Sequence, residues 1–405
     1  MSGERDPFLH FDPIPESGMV SVVLAFPGPE QLECEGEYGL TGLFLKVLRA
    51  GAGIVPEEEV ARTFDGWGGG LHSFCGDGAC GLSYTCLPEA LPESLQWLAR
   101  LMQGDMNPPI ALVEREKAAR IALIQEERDD PSWDGLRQMR KRLLGAGALG
   151  LSPLGSEEDL RGISLEKLLS LGQRLRGQSR RCLGISGDFE PDSIGARARA
   201  LLPEGEAVGA ELHSGETVDA NSFRETVRHP REQSVVVHAL GTGGFRDSRA
   251  DERLLALSCL NGLSGPLFEE IRERHGLAYY SSARLVAGMN RGMIAFVSGC
   301  EERQAHFLQD RLEEILQRIT VRGFSADEFS AGVAQCRSGL LLSRQRSSWR
   351  AQRLAVRGVQ GLNTDLGEAS EAFYDTITRD QLRDWWSGIF ATRSGSTLFL
   401  LPHKN

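Results

Sequence analysis

The stretch Asn261–Ser282, NGLSGPLFEEIRERHGLAYYSS, decides the fold of this chain. Leu267, Phe268 and Ile271 are spaced so that they share one side of a helix. Gly276 is suited to end that helix, because glycine at this place frees the backbone to turn out of it. The stretch therefore predicts a helix that ends at a glycine and is followed directly by a strand.

The same order of elements occurs twice along the chain. In each half the hydrophobic pattern predicts a strand, a helix, a hairpin, several helices and a closing strand. The clearest elements are two strands of the fully buried type and two hairpins, at Val20–Phe26, Ser234–Leu240, Leu71–Leu87 and about 278–299. This order indicates an α+β protein with a duplication of about 200 residues per copy. We expect two tandem homologous α/β-sandwich halves, each an antiparallel-rich sheet with helices packed on it, at residues 1–205 and 234–405, joined by a polar linker at 206–233.

The periodicity also predicts several individual elements. Helices are expected at 89–105, 111–128, 132–145, 254–260 and 308–319, closing strands at 182–185 and 396–401, and a glycine-rich turn at 241–244.

Composition excludes several classes of protein. The 405 residues include 56 acidic and 45 basic side chains, giving a net charge of -11, which argues against nucleic acid as a partner. No apolar run approaches the roughly 20 residues that span a bilayer, so no membrane association is expected. The N-terminal residues lack the pattern of a secretory signal, which favours a cytoplasmic location, or a periplasmic one if a signal was removed. The eight cysteines form no Cys-x-x-Cys pair and are expected to be reduced thiols.

The residues alone give no conventional catalytic site. The eight histidines are at least nine residues apart, so no helix can present two of them to one metal ion. One Cys/His cluster exists, formed by His72, Cys75, Cys80 and Cys86, but its spacing does not match zinc modules with paired cysteines. There is no Gly-x-Ser-x-Gly nucleophile elbow.

The opening stretch resembles the C-terminal half of the pitrilysin/insulinase metallopeptidases. Members carry Leu-Phe-x-x-Ile-Arg-x-x-x-Gly-Leu-Ala-Tyr at this place, which residues 267–279 match. The resemblance extends over nearly the whole chain in family order, through Glu58–Gly70, Leu87–Glu89, Asp129–Pro131, Gly155–Ser156 and Gly187–Asp188.

The zinc motif of that family is degenerate here. Active members carry His-x-x-Glu-His on the first helix and a further Glu ligand on a later helix. In this alignment Gly42 and Lys46 stand at the two His positions, Leu45 at the catalytic Glu, and Leu123 at about the later Glu. These residues cannot hold Zn²⁺, so the resemblance implies a chain with no metal and no activity of its own.

An Arg/Tyr pair of the family is retained, at Arg272 and Tyr279. In the family this pair faces the zinc across a chamber between two clam-like halves and binds the substrate backbone. The resemblance therefore implies a non-catalytic subunit of a heterodimeric peptidase, similar to the mitochondrial processing peptidase. A homologous partner would bring the zinc and the His-x-x-Glu-His motif, and peptides would be the substrate.

Two alternatives are open at this level. The first is a structural or peptide-binding protein of the same fold without proteolysis, similar to core subunits of respiratory complexes. The second is an active peptidase with another metal site at His72, Cys75 and Cys80, which the spacing disfavours.

Overall fold

The computed structural model of the chain describes residues 8–177, 180–202, 222–392 and 395–403. Its ten strands are β1 (Leu9–Pro13), β2 (Val20–Pro27), β3 (His72–Cys75), β4 (Ala79–Cys86), β5 (Cys182–Gly187), β6 (Arg224–His229), β7 (Ser234–Gly243), β8 (Tyr280–Ala287), β9 (Arg291–Cys300) and β10 (Ser396–Pro402).

The α-helices of the described residues, in chain order, are α1 (Pro29–Leu32), α2 (Leu40–Arg49), α3 (Glu57–Gly66), α4 (Leu91–Gln103), α5 (Ile110–Asp129), α6 (Pro131–Leu144), α7 (Glu157–Gly162), α8 (Leu165–Gly177), α9 (Pro191–Arg199), α10 (Ala250–Asn261), α11 (Ala305–Arg322), α12 (Ala326–Arg344), α13 (Ser347–Gln360), α14 (Glu368–Thr376) and α15 (Arg379–Thr392). Within the described ranges, none of these helices combines the length and the apolar character that a membrane span requires.

The chain divides into two compact units. Unit 1 comprises residues 1–124, 152–215 and 342–366, and unit 2 comprises residues 125–151, 216–341 and 367–405. Strands β1–β5 lie within residues 1–205 and β7–β10 within 234–405. Each unit also includes a helical segment from the other half of the sequence.

Unit 1 contains a five-stranded sheet in the order β1-β5-β2-β4-β3. The central strand β2 is buried on both faces, as its β-branched apolar run predicts. Val22 and Leu24 point into a core shared with α2, α4 and α8, whereas Val23 and Ala25 pack under α13 on the other face. Close packing of α13 depends on Gly184 of β5, since a Cβ there would lie 2.3 Å from the carbonyl oxygen of Ala351.

Unit 2 repeats this topology in the order β6-β10-β7-β9-β8. Its strands pair in the same sense as their counterparts, with one parallel pair, β6 and β10, and three antiparallel pairs. Leu240 of β7 belongs to the core under α10, α11 and α15, while Val235 and Val237 pack against α6. The predicted duplication and the α+β fold class are thereby confirmed.

Two predictions of local structure need correction. The predicted linker 206–233 contains strand β6, which pairs with β10 through backbone hydrogen bonds that its polar sequence does not reveal; residues 206–221 lie outside the described residues. The predicted glycine-rich turn at 241–244 is largely strand, because β7 continues to Gly243 opposite Arg291 of β9. The segment Leu267–Arg274 is helical as predicted, and it is a π-helix.

Candidate functional site

Helix α2, which carries the degenerate motif, begins after Gly39 in unit 1. Gly39 has a φ of 101°, a left-handed conformation that favours glycine. The Glu33 carboxylate accepts the backbone N–H groups of Gly39, at 2.8 Å, and Thr41, at 2.7 Å. Burial raises the pKa of Glu33 above its ordinary value, although both N–H groups and the nearby Arg120 act in the opposite direction. The start of α2 is thus fixed by a buried carboxyl group.

A cavity of about 290 Å³ lies beside this helix. Its lining comes from α2, from the edge strand β3, from α5 and from the loop between α6 and α7. The lining residues are Gly42, Leu45, Lys46, Ser73, Phe74, Cys75, Glu116, Ala119, Arg120, Leu123 and Leu154. All four positions assigned to the degenerate motif, at residues 42, 45, 46 and 123, therefore line one cavity.

The side chain of Arg120 fills the space beside Gly42. A Cβ built at Gly42 would lie 2.3 Å from both terminal nitrogens of the Arg120 guanidinium. Arg120 is only 5% exposed and donates to the carbonyl oxygens of Pro153, at 2.6 Å, and Leu154, at 3.2 Å. A longer side chain at residue 42 would require this guanidinium to move.

The role of Arg120 is not visible in the sequence pattern. This arginine lies on α5, one turn before Leu123, and only the packing of α5 against α2 shows its role. A glycine inside a helix is the one available signal, because glycine costs about 1 kcal/mol there relative to alanine and marks close approach of another group.

The cavity does not fit zinc. The motif positions offer two aliphatic side chains, a glycine and an ammonium group, whereas zinc sites use imidazole, thiolate or carboxylate ligands. Arg120 and Lys46 add two positive charges to the lining, which oppose a divalent cation. Over the described ranges, His, Cys, Asp and Glu side chains form no group of three or more with the geometry of a metal site.

The Cys/His cluster predicted at His72, Cys75, Cys80 and Cys86 is not gathered into one site. The Cys75 thiol donates to Pro153 O, Cys80 donates to Pro27 O, and Cys86 contacts Ser94. Burial raises the pKa of Cys75 to about 12 and that of Cys86 to about 11. These thiols are therefore protonated and make separate contacts, while His72 is exposed.

Arg272 lies at the surface of unit 2. It belongs to the π-helix Leu267–Arg274, whose residues Leu267 and Ile271 are buried. Arg272 itself is exposed, and its guanidinium lies 5.3 Å from the centre of the Phe268 ring. The neighbouring Arg274 instead forms an ion pair with Glu269.

Tyr279 lies between this π-helix and strand β8. Gly276, with a φ of 58°, ends the helical segment as predicted. Tyr279 is 59% exposed, and its backbone N–H donates to the carbonyl oxygen of Gly299. The next residue, Tyr280, differs, because its ring packs over Gly299 and burial raises its pKa to about 12. Arg272 and Tyr279 are thus both outside the core.

A family model described as "Peptidase M16 inactive domain" matches residues 162–336. Among curated proteins, an uncharacterized zinc protease of Streptomyces coelicolor is 23% identical over 301 residues, covering 70% of this chain and 63% of that protein. An uncharacterized zinc protease of Mycobacterium tuberculosis is 26% identical over 317 residues, covering 73% and 68%. The chain thus spans only about two thirds of the length of these relatives.

Solved structures share the fold over the full chain. The peptidase M16 inactive domain from Pseudomonas fluorescens matches with a TM-score of 0.84 at 18% identity, covering 98% of this chain and 95% of that one. A protease from Helicobacter pylori matches with a TM-score of 0.85 at 14% identity, covering 97% of each chain. Together with the motifs and the duplicated topology, these findings show that residues 162–336 match the inactive domain of the M16 peptidases and that the chain has the fold of these structures.

Proposed function

We propose that this chain is the non-catalytic subunit of a two-chain zinc peptidase, of the branch that resembles the mitochondrial processing peptidase. A homologous partner subunit supplies the zinc ion and its His-x-x-Glu-His ligands, while this chain supplies Arg272 and Tyr279 and half of a peptide chamber. The observation that supports the proposal is a cavity lined by all four motif positions, in which Lys46 and Arg120 supply cationic side chains and the motif positions supply no zinc ligand.

The state of Arg272 and Tyr279 supports a role in binding. In the part of the chain that the structure describes, neither side chain makes an ion pair or a side-chain hydrogen bond, so their donors are available to a ligand. A guanidinium and a phenol donate hydrogen bonds to peptide carbonyl groups and to the oxyanion that develops during peptide hydrolysis. Because both side chains are exposed, their replacement is expected to change the stability of the fold little.

The test is reconstitution with a homologous subunit that carries His-x-x-Glu-His, followed by a fluorogenic peptide cleavage assay. We expect cleavage only with both chains present, and a fall in kcat of about 100-fold for Arg272→Ala, the size typical for the loss of one oxyanion donor. Tyr279→Phe is expected to act in the same direction. The matched control is Arg274→Ala, an exposed arginine on the same π-helix, which is expected to leave cleavage unchanged.

Three outcomes would contradict the proposal. Stoichiometric zinc in the purified chain would mean that it holds a metal after all. Unfolding of Arg272→Ala or Tyr279→Phe would give these residues a structural role. Peptide binding without cleavage, in the presence of every homologous partner from the source organism, would favour the peptide-binding protein without proteolysis.

A further inference from the structure

The cavity beside α2 has an uneven charge balance. Its lining includes two cationic side chains, Lys46 and Arg120, and one carboxylate, Glu116. Glu116 accepts hydrogen bonds from Arg115 Nε, at 3.1 Å, and Nη2, at 2.8 Å, but the same guanidinium also binds both carboxylate oxygens of Glu57, so the charge of Glu116 is only partly compensated. The lining itself thus carries two positive charges and one negative charge.

The two cations are satisfied to different degrees. Arg120 donates to two backbone carbonyl groups and interacts electrostatically with the buried Glu33. Lys46 is half-buried, and within the described ranges no carboxylate lies within ion-pair distance of its ammonium group. An ammonium ion that has no counter-charge gains more from an incoming anion than a cation that is already paired. Lys46 is thus the group that an incoming anion would stabilise most.

The walls of the cavity fit a small anionic group on an apolar stem. Leu45, Phe74, Ala119 and Leu123 supply hydrocarbon surface around the charges. With a water molecule occupying about 30 Å³, the volume corresponds to about ten waters, enough for one side chain and too small for a large cofactor.

The position of the cavity favours a peptide as the source of that anion. Ser73, Phe74 and Cys75 of the lining belong to β3, the edge strand of the unit 1 sheet. An edge strand has backbone N–H and C=O groups on one side that an extended peptide can pair with. A peptide bound along β3 would bring its side chains or its end to the cavity.

We propose that this cavity binds a carboxylate of a peptide, either an acidic side chain or the C-terminal group, with Lys46 as the main partner and Arg120 as the second. The proposal rests on the proposed function only in taking a peptide as the ligand. In this proposal the cavity beside α2 selects peptides by their carboxylate, a role separate from that of Arg272 and Tyr279.

The test is isothermal titration calorimetry on the full chain alone, without partner or cleavage. The probes are Ac-Ala-Val-Glu-Val-Ala-NH₂, the same peptide with Gln in place of Glu, Ac-Ala-Val-Ala with a free C-terminal carboxylate, and inorganic phosphate. We expect at least tenfold tighter binding of one carboxylate peptide than of the Gln peptide, and which of the two binds identifies the source of the carboxylate.

The variants assign this preference to the cavity. Lys46→Met keeps the length of the side chain and is expected to abolish the preference, whereas Lys46→Arg is expected to retain it. The control Lys141→Met, at an exposed lysine of α6, is expected to leave binding unchanged. Equal binding of the Glu, Gln and C-terminal peptides, a preference that survives Lys46→Met, or binding of phosphate alone would overturn the proposal. Because no cleavage is measured, either result leaves the test of Arg272 and Tyr279 unaffected.

Discussion

Adding one methyl group at Gly42 tests whether the Arg120 guanidinium fills the space beside α2. Gly42 is buried in the first turns of this helix. In Gly42→Ala the new Cβ would lie 2.3 Å from two guanidinium nitrogens, far inside van der Waals contact. The guanidinium must then move away from the carbonyl oxygens of Pro153 and Leu154.

Two opposing effects set the magnitude. Alanine in place of glycine inside a helix contributes about 1 kcal/mol to stability. Each hydrogen bond from a charged group contributes about 1.5–3 kcal/mol, so weakening one or both of the Arg120 bonds outweighs that gain. We therefore expect Gly42→Ala to lower the free energy of unfolding by about 2 kcal/mol, although a glycine-to-alanine change in a helix normally raises it.

Urea denaturation followed by circular dichroism measures this change, with Gly195→Ala as the matched control. Gly195 lies in α9 of the same unit, and a Cβ there would have no atom within 4 Å, so this substitution is expected to stabilise. In an Arg120→Met background Gly42→Ala is expected to become neutral or stabilising, a coupling that identifies the guanidinium as the cause. If Gly42→Ala stabilises the unaltered protein as Gly195→Ala does, the placement of Arg120 is wrong.

Further predictions concern the metal, an ion pair and a buried histidine. Introducing His-x-x-Glu-His at residues 42–46 is expected to give no zinc binding by metal analysis while Arg120 is present. Zinc binding by this variant without the additional change Arg120→Ala would contradict the steric argument. Asp12→Asn is expected to cost about 2–3 kcal/mol in urea denaturation, because Asp12 accepts two hydrogen bonds from Arg350 of α13, at 2.6 and 2.7 Å; no loss would mean that α13 is held by apolar contacts alone. Burial lowers the pKa of His238 to about 4. Between pH 6.5 and pH 4 the unfolded chain therefore binds a proton at this residue that the folded chain does not bind, so the free energy of unfolding falls as the pH drops through this range. His238→Gln is expected to remove this part of the pH dependence of the urea midpoint, and an unchanged slope would contradict it.

The strands and hairpins were predictable because their signals are local. Val20–Phe26 and Ser234–Leu240 are apolar at every or nearly every position, and the structure buries both strands on two faces. The turn at Gly76–Gly78 likewise separates β3 from β4, as its residues predict.

The partners of two helices could not be predicted in this way. An amphipathic pattern shows that a helix buries one face, but it carries no information about which sheet receives that face. Helix α6 follows the first-half helices in sequence yet packs on β7 and β9, and α13 follows second-half helices yet packs on β2 and β5. The polar strand β6 was not predicted for a related reason, because its pairing with β10 depends on backbone hydrogen bonds and not on an apolar pattern.

The site shows the same division between local and tertiary information. Family spacing identified positions 42, 45, 46 and 123, and all four line one cavity. The family spacing shows that the zinc ligands are absent at these positions. It does not show that Arg120 lies beside Gly42, because these two residues are brought together only by tertiary packing. Gly42 and Arg120 are therefore best understood as one feature.

The charges of the cavity are the reason why we expect reversal of the motif alone to give no zinc site. Lys46 and Arg120 together carry the formal charge of one zinc ion, and they do so with covalently attached groups that cannot dissociate. A bound metal ion, in contrast, is lost when its ligands become protonated. New ligands at residues 42–46 would leave Arg120 in the space that the metal needs, held by two carbonyl groups. We therefore expect a metal site here to require changes on both α2 and α5, whereas the cationic lining is suited to anions.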